Sequence, residues 1–361
     1  MANRTSPRRV YATFQIDQSG HEGAYRGMRM TIVESIATRR ASDNSGSTVI
    51  RIKGRNTVVP SIEIVGRKVI LTGNILKVAQ IFDEELVEGE AVPNPLPFIA
   101  NLRASPLKAD VFTFAQRPPE TTPKFNETFE WDNWAVASTA SFQDWWERLP
   151  QESRKNVRRA AKKGVSVRSI PFDAYLVRGI QEIYDETPIR QGKKFWHYGK
   201  DFATVKMENE TYLERSEFIG AFYEEKLIGF IKMIYVDRIA MLIQILAKNE
   251  HHDKRPMNAL LTHTMEICEK RNINCLVYGK YIYGAKNDSS LTEFKRRNGF
   301  KQHDFPRYYI PLSLKGRMAI PLGLHHGLAS LLPKYVKDSL LNCRAWLVRK
   351  ALGDGSHAAA T

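Results

Sequence analysis

Apolar positions first gather into short runs. TVIRI, SIEIV and KVILTG, between Thr48 and Val78, are rich in β-branched residues and broken by Gly and Pro, which predicts short strands. Pro93, Pro95 and Pro97 punctuate what reads as a loop. ADVFTFAQ (109–116) and FEWDNWAVAS (129–138) predict longer strands, and a helix is expected over Phe142–Arg148. After Pro150 the pattern turns helical again in SRKNVRRAAKKGVSVR (153–168). There Val157, Ala160, Ala161 and Gly164 share one narrow face.

From residue 165 the alternation is cleaner. VSVRSI reads as a strand, DAYLVRGIQEIYDET (173–187) and DFATVKMENETYLER (201–215) as helices. Three strands follow: EFIGAFYE, KLIGFIKMIYV and RIAMLIQILAK. Then come a helix from about Pro256 to Lys270, the strand NCLVYG, the helix SSLTEFKRRN (289–298), and the strands FKQHDF and RYYIPL. Nearly continuous apolar strands interleaved with amphipathic helices predict an α/β (α+β mixed sheet) architecture covered on both faces.

The stretch 238–270 carries the most chemistry. The run Ile239–Ala247 is apolar except for Gln244, a polar group that needs either a bound donor or a neighbouring strand as partner. Met257, Leu260, Leu261, Met265 and Cys268 then recur at helical spacing. Between them lies KNEHHDKRP. A helix whose N-terminus faces the end of a buried strand gathers free N–H groups and the positive end of the helix dipole, so it suits an anion. Asp253 reads as its N-cap, Pro256 fits the first turn, and Lys254 and Arg255 add charge suited to phosphate.

Charge sharpens this reading. The net charge is +15, with 18 Lys and Arg against 17 Asp and Glu in residues 1–150, and 36 against 22 in 151–361. A localised anionic partner is therefore expected for the second part. In the basic helix 153–163, Arg154, Arg158 and Lys162 form one ridge and Lys155, Arg159 and Lys163 another; like charges at i, i+4 repel. An anion relieves that repulsion, and so does solvent. No aromatic interleaves with the cations, so backbone phosphate rather than base stacking is the contact expected. The three cysteines show no CxxC spacing and read as buried thiols. EHHD (250–253) offers adjacent histidines, which converge on one ion only when a distant third ligand joins them, so no metal is expected.

The order of elements over 165–312 resembles the GNAT acyltransferase superfamily. Within it, RKNVRRAAKKGV and LTEFKRRNGF (291–300) resemble the Fem-type (FemAB-like) aminoacyltransferases, which use aminoacyl-tRNA and consist of two such lobes. The resemblance implies a GNAT-like fold in which the fourth strand splays from the fifth. The loop after the fourth strand then holds the donor's phosphates, and a backbone amide of that strand polarises the acyl carbonyl. It implies a donor that is acyl-CoA or aminoacyl-tRNA, with no permanently bound cofactor and an amine acceptor. Gln244, Lys254, Arg255 and Asn258 become donor contacts, and Arg158 and Lys162 an outer phosphate guide. HHDKRPMNA (251–259) has no glycine, unlike the usual acyl-CoA loop. Lys295, in Phe294–Lys295, matches a Fem-type lysine near donor and acceptor. Tyr281 and Tyr283, in VYGKYIYGAK (277–286), are the candidate acids for the leaving group, or else packing aromatics.

Four segments are expected: a poorly ordered 1–45, a β-rich lobe 46–140 read as a reduced GNAT-like half, an acyltransferase domain 141–312, and a basic amphipathic tail 313–361. The loop PIRQGKKFWHYGKDF (188–202) offers Trp196, His197 and Tyr198 to the acceptor, or packs as an aromatic loop. No apolar run is long enough for a signal peptide or a spanning helix, so a cytoplasmic protein is expected. The tail either packs on its own domain or lies against the anionic inner face of a membrane, where a lipid-linked saccharide precursor would be the acceptor. The competing reading is a catalytically silent relative that binds RNA or anionic membrane through its basic part.

Overall fold

The computed structural model describes residues 45–52, 55–190, 193–283 and 289–327. The expected poor order of 1–45 and most of the amphipathic tail therefore lie outside the described residues.

The first half contributes β1 (Ser45–Ile52), β2 (Arg55–Ile64), β3 (Arg67–Thr72), β4 (Val78–Ile81), helix α1 (Pro95–Ala104), β5 (Val111–Ala115) and β6 (Phe129–Ser138). Helices α2 (Phe142–Arg148) and α3 (Gln151–Lys162) lead to β7 (Ser166–Ile170) and α4 (Ala174–Asp185). A two-residue hairpin, β8 (Ile189–Arg190) and β9 (Lys193–Lys194), precedes α5 (Phe202–Asn209). Then follow β10 (Ser216–Tyr223), β11 (Lys226–Val236), β12 (Ile239–Ala247), α6 (Pro256–Lys270), β13 (Cys275–Lys280), α7 (Ser290–Arg297), β14 (Lys301–Pro311) and α8 (Leu314–Ala319).

Twelve strands form one mixed sheet in the order β1-β2-β3-β4-β5-β14-β6-β13-β12-β11-β10-β7. The two ends repeat one another. Strands β1 to β4 are antiparallel and β4 runs parallel to β5 after α1; β7, β10, β11 and β12 are antiparallel and β12 runs parallel to β13 after α6. Each half sends its last strand, β6 or β14, to lie beside the fifth strand of the other half. The β6–β14 ladder closes the middle.

Strands β10 to β12 sit deep because they carry almost no polar side chain, and each face takes a helical layer. On one face, Ile219, Ile231, Leu242 and Ile245 pack with Ala160 of α3 and Leu260, Leu261 and Met265 of α6. On the other, Phe218, Phe230 and Leu246 pack with Leu176, Ile180 and Tyr184 of α4 and Val205 of α5. Cys268 and Cys275 are buried free thiols that burial pushes up to about 12, as expected of inert packing groups.

Four local expectations need correction. The proline loop holds helix α1: Asn94 accepts the Leu96 N–H as N-cap and Pro95 occupies the first turn, where its missing donor costs nothing. The helix expected over 201–215 ends at Asn209. The two last strands are one, β14, because Pro306 stands where pairing with β5 gives out, and its carbonyl still accepts the Gln116 N–H. Helix α3 packs through Ser153, Val157 and Ala160; Ala161 and Gly164 are exposed, and Gly164 (φ +80°) ends the helix.

Candidate functional site

The parallel pair β12–β13 runs for only three rungs: Ile239–Cys275, Ala240–Leu276 and Met241–Val277. Beyond them the strands part. Strand β12 continues to Ala247 beside β11 alone, while β13, paired on its other edge with β6 from Cys275, slips its register there after Val277, through Gly279 at φ +54°, and meets β6 again at Lys280–Trp134. A second irregularity re-aims β12 itself, since Lys232 faces Gln244 but Met233 faces Leu242, leaving Ile243 as an extra residue. The far lip carries Arg190, whose Nη1 donates to the Ala247 carbonyl at 3.0 Å. The ladder between the two central strands is thus open toward their C-terminal ends, the place where open sheets bind their ligands.

Helix α6 begins beside this opening. A 3-10 turn, Asn249–Lys254, leads into it, and Arg255 (φ +56°) is the N-cap without any capping bond from its side chain. The expectation that Asp253 caps the helix is therefore wrong: Asp253 accepts from Lys163 Nζ at 2.5 Å and lies 3.6 Å from Lys254. The Arg255 Nε is buried, with no hydrogen-bond partner among the described residues. Lys254 Nζ stands 4.6 Å from the Tyr223 ring. Asn258 Nδ2 donates to Asn298 Oδ1 at 3.0 Å, and Ser153 Oγ donates to the Arg297 carbonyl at 2.7 Å. These bonds gather α3, α6 and α7 into a collar. On its outside Lys155, Arg158, Arg159 and Lys162 are exposed, whereas Arg296 and Arg297 are matched by Glu293.

The tip of β13 forms a second cluster. Lys295 is fully buried, donates from Nζ to the Lys280 carbonyl at 2.5 Å, and lies 4.5 and 4.7 Å from the Tyr278 and Tyr283 rings. Burial lowers its pKa well below the ordinary lysine value, with no carboxylate bonded to it among the described residues. Tyr283 Oη accepts the Lys280 N–H at 3.1 Å. Tyr281 is half-buried and its N–H bonds the Asn133 carbonyl. Asn133 also borders a shallow open groove of about 560 Å³ with Thr121, Trp131, Gln302 and Asp304.

Two other expected groups are occupied elsewhere. Gln244 is buried, and its amide pairs with the Tyr184 hydroxyl of α4 at 2.8–3.0 Å; its partner is a helix rather than a donor or a neighbouring strand. Across the ladder, Lys232 is buried and donates to the Asn209 and Thr211 carbonyls and the Thr211 hydroxyl; burial lowers it to about 7. His197 is buried against Tyr184 with ring centroids 4.1 Å apart, near Lys200 and Glu208. Trp196 stacks under Lys200 at 3.8 Å, and of this trio only Tyr198 is exposed. The packed aromatic loop is thus what the structure holds at Trp196 and His197.

Carboxylates gather on the opposite side of β13, which the sequence pattern does not reveal. Asp132 accepts from Lys280 Nζ at 2.7 Å and Arg307 Nε at 3.2 Å; burial alone would raise its pKa, but these two cations hold it down. Glu84 accepts the Ala115 N–H at 2.6 Å and Arg307 Nη2 at 3.0 Å. Burial pushes Glu85, beside the same charges, up to about 7. These acids come from two separate segments, Glu84–Glu85 and β6, and the pairing of β14 with β5 and β6 brings both to Arg307.

The spermidine N(1)-acetyltransferase of Thermoplasma acidophilum is 30% identical over 108 residues, which is 28% of this chain and 64% of that protein. The chain therefore spans less than two thirds of the length of this curated relative. Among solved structures, L-PGS from Bacillus licheniformis has a TM-score of 0.49 at 14% identity, covering 74% of this chain and 89% of its own. FemX has a TM-score of 0.46 at 11% identity, covering 77% and 90%. No family model matches the chain.

Proposed function

We propose that this chain, similar to GNAT and Fem-type acyltransferases, is itself an acyltransferase. It moves an acyl or aminoacyl group from a phosphate-bearing carrier, acyl-CoA or aminoacyl-tRNA, to an amine. The observation that carries this reading is the parting of β12 and β13 after three rungs beside an α6 N-terminus capped only by Arg255. Lys254, Arg255 and the Met257 N–H hold the phosphate, since Pro256 has no N–H and those of Asn258 and Ala259 already bond the Arg255 carbonyl. The exposed Arg158 and Lys162 guide it electrostatically. The thioester or ester enters between the strands, where freed β12 amides polarise its carbonyl.

Glu85, poised near neutrality beside Lys280, takes a proton from the attacking amine; Tyr281 supplies one to the departing thiolate or ribose oxygen. Tyr283 and Lys295 act by holding the tip of β13, since their polar atoms are engaged with Lys280. The exposed Trp131 with Asn133, Gln302 and Asp304 favours an acceptor that carries a saccharide, as in a cell-surface or polysaccharide precursor. The repeated strand order supports reading residues 46–140 as a reduced GNAT-like half. Its own β4–β5 parting is occupied by Glu84, a carboxylate that repels phosphate.

Calorimetry with CoA, acetyl-CoA and tRNA tests the reading. Saturable binding of one of them supports it, and no binding of any removes the donor. Steeply salt-dependent RNA binding without transfer would favour the silent, basic binding protein instead.

A further inference from the structure

Adjacent histidines make a metal site only when a third ligand arrives from elsewhere, and among the described residues one pair meets that condition. His325 and His326 end a 3-10 turn, Leu324–His326, set between Gly323 (φ +67°) and Gly327 (φ +89°). Their Nε2 atoms both point at Glu130 of β6, 195 residues away. His325 Nε2 lies 2.9 Å from Oε1, and His326 Nε2 lies 3.0 Å from Oε1 and 2.9 Å from Oε2. The three donor atoms all fall within 4.8 Å of one another. The two rings stand 3.9 Å apart, and His325 is pinned against Tyr309 with centroids 4.4 Å apart.

We propose that Glu130, His325 and His326 bind a divalent transition metal, with zinc the best match. Two imidazoles and one carboxylate are a known zinc donor set that leaves a fourth position for water. Glu130 is 42% exposed and His326 23%, so water has access, while His325 is 1% exposed and fixes the inner wall. Tetrahedral zinc with bonds of about 2.0–2.1 Å needs donor atoms about 3.3 Å apart. The two histidine–glutamate separations are only some tenths of an ångström shorter, so rotamer adjustment admits the ion. Binding through Nε2 requires the tautomer with its proton on Nδ1; the His325 Nδ1 is buried beside Tyr309 with no hydrogen-bond partner among the described residues. The ion replaces two hydrogen bonds and clamps the turn at 324–326 to the β6–β14 seam.

The test uses the full, untagged chain, stripped with a chelator and titrated with zinc chloride by calorimetry and with cobalt(II) by visible absorption. One equivalent should bind, and cobalt should give the intense ligand-field bands of a four-coordinate ion. Glu130→Gln and His326→Ala should each weaken zinc at least about tenfold, while His251→Ala and His303→Ala should not. Equal affinity in Glu130→Gln, with unchanged circular dichroism, overturns the proposal and leaves a hydrogen-bonded cluster. So does a cobalt spectrum of the unmodified protein without four-coordinate bands, an outcome independent of whether any variant folds.

Discussion

Replacing Lys295 by Met keeps the length of the apolar stem and removes the one buried amine at its end. In the folded protein that amine has its pKa lowered by burial, while in the unfolded chain it returns to the ordinary value near 10.5. Between the two values the unfolded chain holds the extra proton, so stability must rise with pH and fall as the solution is acidified. Each pH unit within that window is worth about 1.4 kcal/mol. Urea unfolding of both proteins, followed by tryptophan fluorescence at about pH 7.5 and about pH 9.5, should show the wild type gaining up to about 2.7 kcal/mol on the variant. Other titrating groups, Lys232 included, are common to both proteins and cancel in the difference. A second effect is independent of pH: the Lys280 carbonyl loses its donor, at a cost of about 1–3 kcal/mol. Parallel pH profiles for the two proteins would refute the reasoning, because they would mean that Lys295 stays charged and solvated.

The remaining expectations concern other parts of the molecule. Tyr184→Phe strands the buried Gln244 amide and should cost about 1–3 kcal/mol by chemical denaturation, most of it recovered in Tyr184→Phe/Gln244→Leu. Gly316→Ala places a Cβ 1.9 Å from the Asp110 carbonyl oxygen and should cost about 1–3 kcal/mol in thermal unfolding, with the loss confined to stability. If Glu85 is the proton acceptor, the transfer rate rises with pH through about 7, and Glu85→Gln loses that limb together with at least about a hundredfold in rate. If the carrier is a tRNA, Arg158→Ala/Lys162→Ala should weaken binding and flatten the dependence of log K on log salt by about 1–2.

Much of the second half was legible because its signals are local. The apolar runs of β10 to β12 and the helical stripe of α6 each state their structure within a dozen residues. Helix α1 was hidden because three prolines look like loop punctuation, although Pro95 in a first turn is compatible with a helix. The opening between β12 and β13 has no local signature; it arises where β13 stops pairing with β12 after Val277 and shifts its register on β6, a strand some 140 residues earlier. Gln244 shows the same limit. Its burial was legible, but its partner is set by how α4 lies on the sheet. The carboxylates around Arg307 and the Glu130–His325–His326 trio were invisible for one reason: their members converge only after the two halves exchange their last strands.

The central claim is that the parted ends of β12 and β13, with the start of α6, receive the donor's phosphate and acyl group. Hydrogen–deuterium exchange with and without saturating acetyl-CoA or aminoacyl-tRNA tests it most directly. The account predicts slowed exchange at residues 254–259 and along Leu242–Ala247, and loss of that protection in Lys254→Ala/Arg255→Ala. Protection confined to other surfaces, with these amides unchanged while the donor is demonstrably bound, would contradict it.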